Sequence, residues 1–123
     1  MKSNRWFLVI AALASSAWAG DKFELKGDAA KGATQYATFC VSCHGEKGDG
    51  NGPAGSALTP KPTAFVDPAN AARLTDEYVY KVIRDGGAAN GRSPLMVSWS
   101  AAMKDDELRN VAAYVLKFKP AKK

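Results

Sequence analysis

Cys40-Val41-Ser42-Cys43-His44 is a C-x-x-C-H run that uses both cysteines and the sole histidine of this 123-residue chain. The run is the attachment signature of c-type haem. In that chemistry the thiols of Cys40 and Cys43 form thioethers with the haem vinyl groups, and the His44 imidazole ligates the iron. Positions i and i+3 share one side of a helical turn. Both sulfurs can therefore meet one edge of a flat macrocycle, with His44 following in the same turn.

Other readings of the motif fit less well. A Cys40–Cys43 disulfide would leave His44 without a role. A thioredoxin-like redox pair needs a βαβ context, and the chain carries no strand pattern. Zinc needs about four ligands, and two cysteines with one histidine fall short.

The N-terminus agrees with haem attachment outside the cytosol. Lys2 and Arg5 form a positive region, residues 6–14 an apolar core, and Ala17-Trp18-Ala19 a small-residue cleavage site. This pattern predicts a secretory signal peptide over residues 1–19, cut after Ala19. The apolar run is well short of the ~20 residues that span a bilayer, which argues against a retained anchor and against stable membrane insertion of the mature chain. Residues 20–123 then form a single domain in the periplasm.

Loss of Lys2 and Arg5 lowers the formal charge from +5 to +3, and two haem propionates would lower it further. No run of five or more like charges exists, so a nucleic-acid partner is not expected. The lysines at 117, 119, 122 and 123 read as a solvated tail.

Outward from the motif, the chain reads as helices around one long loop, an all-α class. Asp28 is a candidate N-cap for a helix running from Ala29 to about Cys40 and merging with the haem motif. Ala33, Tyr36, Ala37 and Cys40 are spaced to lie on one face. Gly32 costs helix stability, so its place mid-helix suggests close packing on another helix. Residues 45–74 hold so many glycines and prolines that no helix or strand is predicted there. A loop of that length calls for a functional reason, and a large apolar cofactor gives it something to wrap. Thr75-Asp76-Glu77 starts a helix with apolar Tyr78, Val79, Val82 and Ile83, stopped by Gly86-Gly87. The last helix begins near Asp105 and carries Leu108, Val111, Ala112, Val115 and Leu116 on one face.

A second axial ligand has to come from another residue type, since no further histidine exists. Methionine is a familiar haem ligand. Met1 leaves with the signal, so Met96 and Met103 remain. Met96 lies in a loop between helices, where it is easily aimed at iron. Met103 sits just before the last helix, where an apolar residue usually staples the helix start. Met96 is the preferred ligand; Met103 or an open sixth position are the alternatives.

With these residues in view, the chain resembles the class I monohaem c-type cytochromes of the small bacterial periplasmic kind. The resemblance runs from Gly27 to about Leu116. It rests on Gly27-Asp-Ala-Ala-Lys-Gly with Tyr36 and Cys40-Val-Ser-Cys-His-Gly45, on Gly48-Asp-Gly-Asn-Gly-Pro53, and on Met96 and Trp99 followed by a helix containing Val111-Ala-Ala-Tyr114-Val.

The resemblance implies a cytochrome c fold, three to four helices wrapped around one covalently attached haem. It implies that the proximal imidazole donates its Nδ1–H to a loop proline carbonyl, matched here by Pro53. It also implies a crossing of the first and last helices in which Gly32 and Tyr36 meet Val111 and Tyr114. The chain departs from the family in having Pro94 before Met96, with Val97 after it, and Lys104 where a Ser or Thr cap is usual.

The function implied is a monomeric, non-enzymatic carrier of single electrons, meeting redox proteins transiently through an exposed haem edge. Lys47 and Lys61 are candidate rim charges. His/Met ligation would raise the reduction potential. The alternative is a haem subunit of a periplasmic oxidoreductase, peroxidase-like or sulfur-oxidising, with an open sixth iron position and Arg92 or Lys104 as the nearby polar group. A haem-based sensor would need a further signalling domain, for which the mature chain has no length.

Overall fold

At Gly32 the first and last helices touch backbone to backbone. A Cβ there would lie 1.9 Å from the Asn110 carbonyl oxygen and 2.8 Å from the Val111 nitrogen. In this computed structural model, which describes residues 22–121, the crossing is made by α1 (Ala29–Phe39) and α4 (Asp105–Leu116). Two further helices complete the set: α2 (Val41–His44) and α3 (Asp76–Asp85). No strand occurs among the described residues, so the all-α expectation holds. No helix among them is long and apolar enough to cross a membrane. The proposed signal segment, and Lys122 and Lys123, lie outside the described residues.

Three of the four helices start where local side-chain chemistry places them. Asp28 Oδ1 accepts from the Ala30 and Lys31 amides at 2.9 and 3.2 Å, satisfying donors that a helix start leaves unpaired. Thr75 Oγ1 accepts from the Tyr78 amide at 3.2 Å. Lys104 has no side-chain acceptor. Glu107 reaches back instead and takes the Lys104 amide at 2.9 Å, half of a capping box. Met103 and Leu108, the positions that staple such a start, are both buried in the core.

The first helix does not run unbroken into the haem motif. Cys40 bends the chain at φ −116°, and α2 is a separate turn that ends at Gly45, φ 81°. Its buried face also differs from the periodic expectation. Gly32, Tyr36 and Cys40 are buried, whereas Ala37 is exposed, because the neighbouring α4 lies on the Gly32 side. Tyr36 meets Tyr114 with ring centroids 5.0 Å apart.

On α3 the buried residues are Val79, Tyr80 and Ile83. Tyr80 packs on Phe23 at 5.3 Å and donates its hydroxyl hydrogen to Asp105. Tyr78 and Val82 are only half-buried, and both line a cavity. The extended segment before α1 is held by Arg109, which donates to the carbonyls of Glu24 and Leu25 at 2.9 and 3.0 Å.

The 45–74 loop is mostly irregular, as its composition predicts, with two single 3-10 turns at Gly55–Ala57 and Pro68–Asn70. It is nevertheless pinned. Gly50 donates to His44 O at 2.9 Å, Ala54 to Ser42 O at 2.8 Å, and Phe65 to Gly48 O at 2.7 Å. Lys119, read from the sequence as solvated, donates to Leu74 O at 3.0 Å and ties the C-terminal segment to the end of this loop.

Candidate functional site

The chain folds around a cavity of about 400 Å³ lined by Cys40, Cys43, His44, Met96 and largely apolar side chains. Four segments converge on it. The break at Cys40 and the short α2 present both thiols and the imidazole, and both cysteines are free. The loop contributes Leu58, Pro60, Pro62, Thr63 and Phe65; α3 contributes Tyr78, Val79, Val82 and Ile83; the 91–99 loop contributes Met96 and Trp99.

His44 is oriented from two sides. Its Nδ1 lies 3.2 Å from the Thr63 carbonyl oxygen. A carbonyl can only accept, so Nδ1 carries the proton and Nε2 keeps the lone pair that a metal needs. Its ring also stacks on Phe65, centroids 4.6 Å apart and planes at 17°. Burial lowers the His44 pKa below its ordinary value, with the Thr63 bond acting in the opposite sense. The imidazole is therefore neutral at pH 7, the form that ligates. Burial, and to a lesser degree the nearby Cys43, pushes the Cys40 thiol up to about 12.

Pro53 does not have the place the resemblance implied. It is exposed and does not line the cavity. The glycine-rich turn doubles back so that Gly52 donates to Cys43 O and Ala54 to Ser42 O. That docks the chain on the α2 carbonyls and turns Pro53 outward. The loop carbonyl that meets the imidazole is that of Thr63, just after Pro62. Nothing in the spacing singles out Thr63; the second proline cluster, Pro60 and Pro62, was the available hint.

The methionines separate cleanly. Met96 lines the cavity, while Met103 is buried in the core and is not among the lining residues. The Met96 segment is held at the end of α3: Gly87 donates to Met96 O at 2.8 Å and Trp99 to Ile83 O at 3.0 Å. A Cβ on Gly87 would lie 2.1 Å from Ser93 O and 3.2 Å from Met96 Cβ, so the two glycines after α3 permit this close approach. Pro94 has a local reason for preceding Met96. The Met96 amide donates to Ser93 O at 3.2 Å, which makes Pro94 the second residue of a tight turn, a position proline favours.

Of the candidate polar groups, Arg92 lines the cavity and donates to the Tyr78 hydroxyl at 2.9 Å. Lys104 does not line it. Lys61 lines the cavity and donates to Asn51 Oδ1 at 2.6 Å. Lys47 is exposed and lies apart from the cavity lining. No group of three His, Cys, Asp or Glu residues able to hold a metal ion occurs among the described residues.

The walls suit a flat apolar macrocycle carrying iron. Two thiols sit within one helical turn, a neutral imidazole presents Nε2, and a thioether and aromatic rings complete the lining. Leu95 and Val97, both about half-exposed, stand at the same cavity.

Comparison with known proteins gives the same answer. Residues 27–115 match the protein family described as cytochrome c oxidase, cbb3-type, subunit III. Cytochrome c-554(548) of Halomonas halodenitrificans is 31% identical over 88 residues, covering 72% of this chain and 93% of that protein. Among solved structures, the KustC0563 c-type cytochrome superposes with TM-score 0.58 at 21% identity, covering 72% of this chain and 98% of that one. A chain of the Kuenenia stuttgartiensis reducing HAO-like protein complex superposes with TM-score 0.62 at 24% identity, covering 80% of this chain and 46% of that one. The chain therefore belongs to this family and is a small monohaem c-type cytochrome, an electron carrier that holds haem c and its iron covalently.

Proposed function

We propose that the protein carries single electrons between redox proteins of the periplasm, without catalysis of its own, through a haem held by Cys40 and Cys43 and ligated by His44 and Met96. The observation that supports this most directly is the placement of Met96 in the same cavity as both thiols and His44, with Met103 in the core. Haem supplies reversible one-electron chemistry at iron. The chain's own residues do the rest. Thr63 O fixes the His44 tautomer, the apolar walls exclude water, and the Met96 loop offers a soft, uncharged sulfur. A dry pocket with a thioether ligand favours the less charged ferrous state and raises the potential.

The rim supports brief contacts. Lys61 and Arg92 reach the cavity, and Leu95 and Val97 present apolar surface beside them, a small patch in keeping with transient redox encounters. The chain acts as a monomer in this reading. Residues 1–19 are its export signal, and mass spectrometry of the periplasmic form should find Gly20 at its N-terminus.

The test of axial ligation is Met96→Ala. The ferric protein should lose its methionine–iron charge-transfer band and its potential should fall, since axial ligands help set a range of ~0.8 V. The ferrous protein should bind carbon monoxide. Met103→Ala should lose stability alone, by about 2–5 kcal/mol for a buried methionine. A wild-type protein that already binds carbon monoxide tightly would favour the oxidoreductase alternative, with Arg92 beside an open iron position.

A further inference from the structure

The Thr63 bond fixes the direction of one ring atom of His44 but leaves the ring plane free to tilt. A second contact removes that freedom. Phe65, two residues on in the same loop, lies flat against the imidazole at 4.6 Å and 17°. Phe65 is buried, and it is backed by Phe118, centroids 6.3 Å apart and planes at 22°. Phe118 is in turn held by Tyr114, edge-on at 5.4 Å, and by Tyr36 at 5.4 Å. Gly48 makes room for the stack, since a Cβ there would lie 2.7 Å from Phe118 Cγ. Gly48 also accepts the Phe65 amide at 2.7 Å. Three segments far apart in sequence thus build one wall behind the imidazole.

We propose that Phe65, backed by Phe118, is a positioning residue that sets the plane of the His44 imidazole at the haem iron. The inference rests on His44 being the axial ligand. A flat aromatic ring resists tilting of the ring it stacks on, because tilting opens a gap on one side and a clash on the other. A held plane also keeps Nδ1–H aligned with Thr63 O, and a donated proton there strengthens the imidazole as a ligand. A branched aliphatic side chain fills similar space without imposing a plane.

The experiment compares holo wild type with Phe65→Leu and Phe65→Tyr, and reads haem-methyl proton shifts in the ferric protein, midpoint potential and thermal stability. The spread of those methyl shifts follows the angle of the axial imidazole plane. In Phe65→Leu the methyl shifts should change their spread, and the potential should rise as the imidazole becomes a weaker donor to ferric iron. Phe65→Tyr keeps the flat ring and should restore the wild-type pattern. Phe118→Leu should change the spread in the same sense but less, which covers the case where Phe65→Leu fails to assemble. If Phe65→Leu melts earlier but keeps wild-type methyl shifts and potential, Phe65 is only packing and the inference is wrong. If Phe118→Leu leaves the shifts untouched, the wall behind the imidazole is not the device proposed. If the wild-type protein itself lacks a histidine-ligated haem, the ligand reading fails and takes the inference with it.

Discussion

Gly32→Ala sets two effects of opposite sign against each other, and the structure decides between them. In an exposed helix the change should stabilise by about 0.8–1.0 kcal/mol, because alanine is the better helix former. At this position the new methyl would lie 1.9 Å from Asn110 O and 2.8 Å from Val111 N. A carbon–oxygen contact of this kind needs ~3.3 Å, so α1 and α4 would have to part by about 1.4 Å. The obstacle is backbone, which cannot rotate away as a side chain can. Val111 and Ala112, on the opposing helix, are fully buried, so the shift would open contacts in the core. Overpacking of this kind costs typically 1–3 kcal/mol, and a backbone obstacle places it near the upper end. Subtracting the propensity gain leaves a net loss of about 2 kcal/mol, which for a domain of this size lowers Tm by roughly 8–16 °C. The assay is thermal unfolding of the ferric holoprotein followed by far-UV circular dichroism, with Ala37→Gly as the control. Ala37 is exposed, so its replacement should cost only the propensity difference, about 1 kcal/mol. A Gly32→Ala protein melting at or above wild type would show that the helix crossing is not close-packed as described.

Tyr36→Phe removes a buried hydroxyl that donates to Gly45 O at 2.6 Å, and should cost about 1–3 kcal/mol in chemical denaturation because a buried carbonyl loses its partner. Burial, the largest cause, raises the Tyr36 pKa above the ordinary phenol value. Its contribution is therefore fully present below about pH 10 and is lost as pH rises through the folded pKa; tyrosinate absorbance should show a late-titrating component that Tyr36→Phe removes. Pro53→Ala should leave the haem spectrum unchanged and alter stability by no more than about 0.5 kcal/mol, since Pro53 is exposed and His44 bonds to Thr63 instead; a large change in the ferric spectrum would restore a role for Pro53. Cys40→Ala with Cys43→Ala should abolish covalent haem and leave a chain without cooperative unfolding, because the long loop wraps the cofactor cavity; a cooperatively folded, haem-free double variant would contradict this.

The sequence by itself determined what depends on neighbours within a few residues. Asp28, Thr75 and Gly86 mark helix ends because a cap acts on amides or carbonyls one turn away. The C-x-x-C-H chemistry follows from residue type and spacing within a single helical turn. Gly32 foretold a close helix contact because an unfavourable residue in a helix needs a compensating reason. What only the tertiary structure decided depends on contacts across long stretches of chain. Which carbonyl meets His44, nineteen residues away at Thr63, was set by how the glycine turn doubles back on α2, and Pro53 was turned outward by the same fold. The Arg109 clamp on residues 24 and 25 spans 85 and 84 positions. The same holds for the wall of Phe65 and Phe118 behind the imidazole. Tyr80 is buried, and Ala37 is not, because the neighbouring elements cover one side of each helix and not the other. Periodicity gives the angle between residues on a helix, but the direction from which the neighbour arrives is a property of the packed chain.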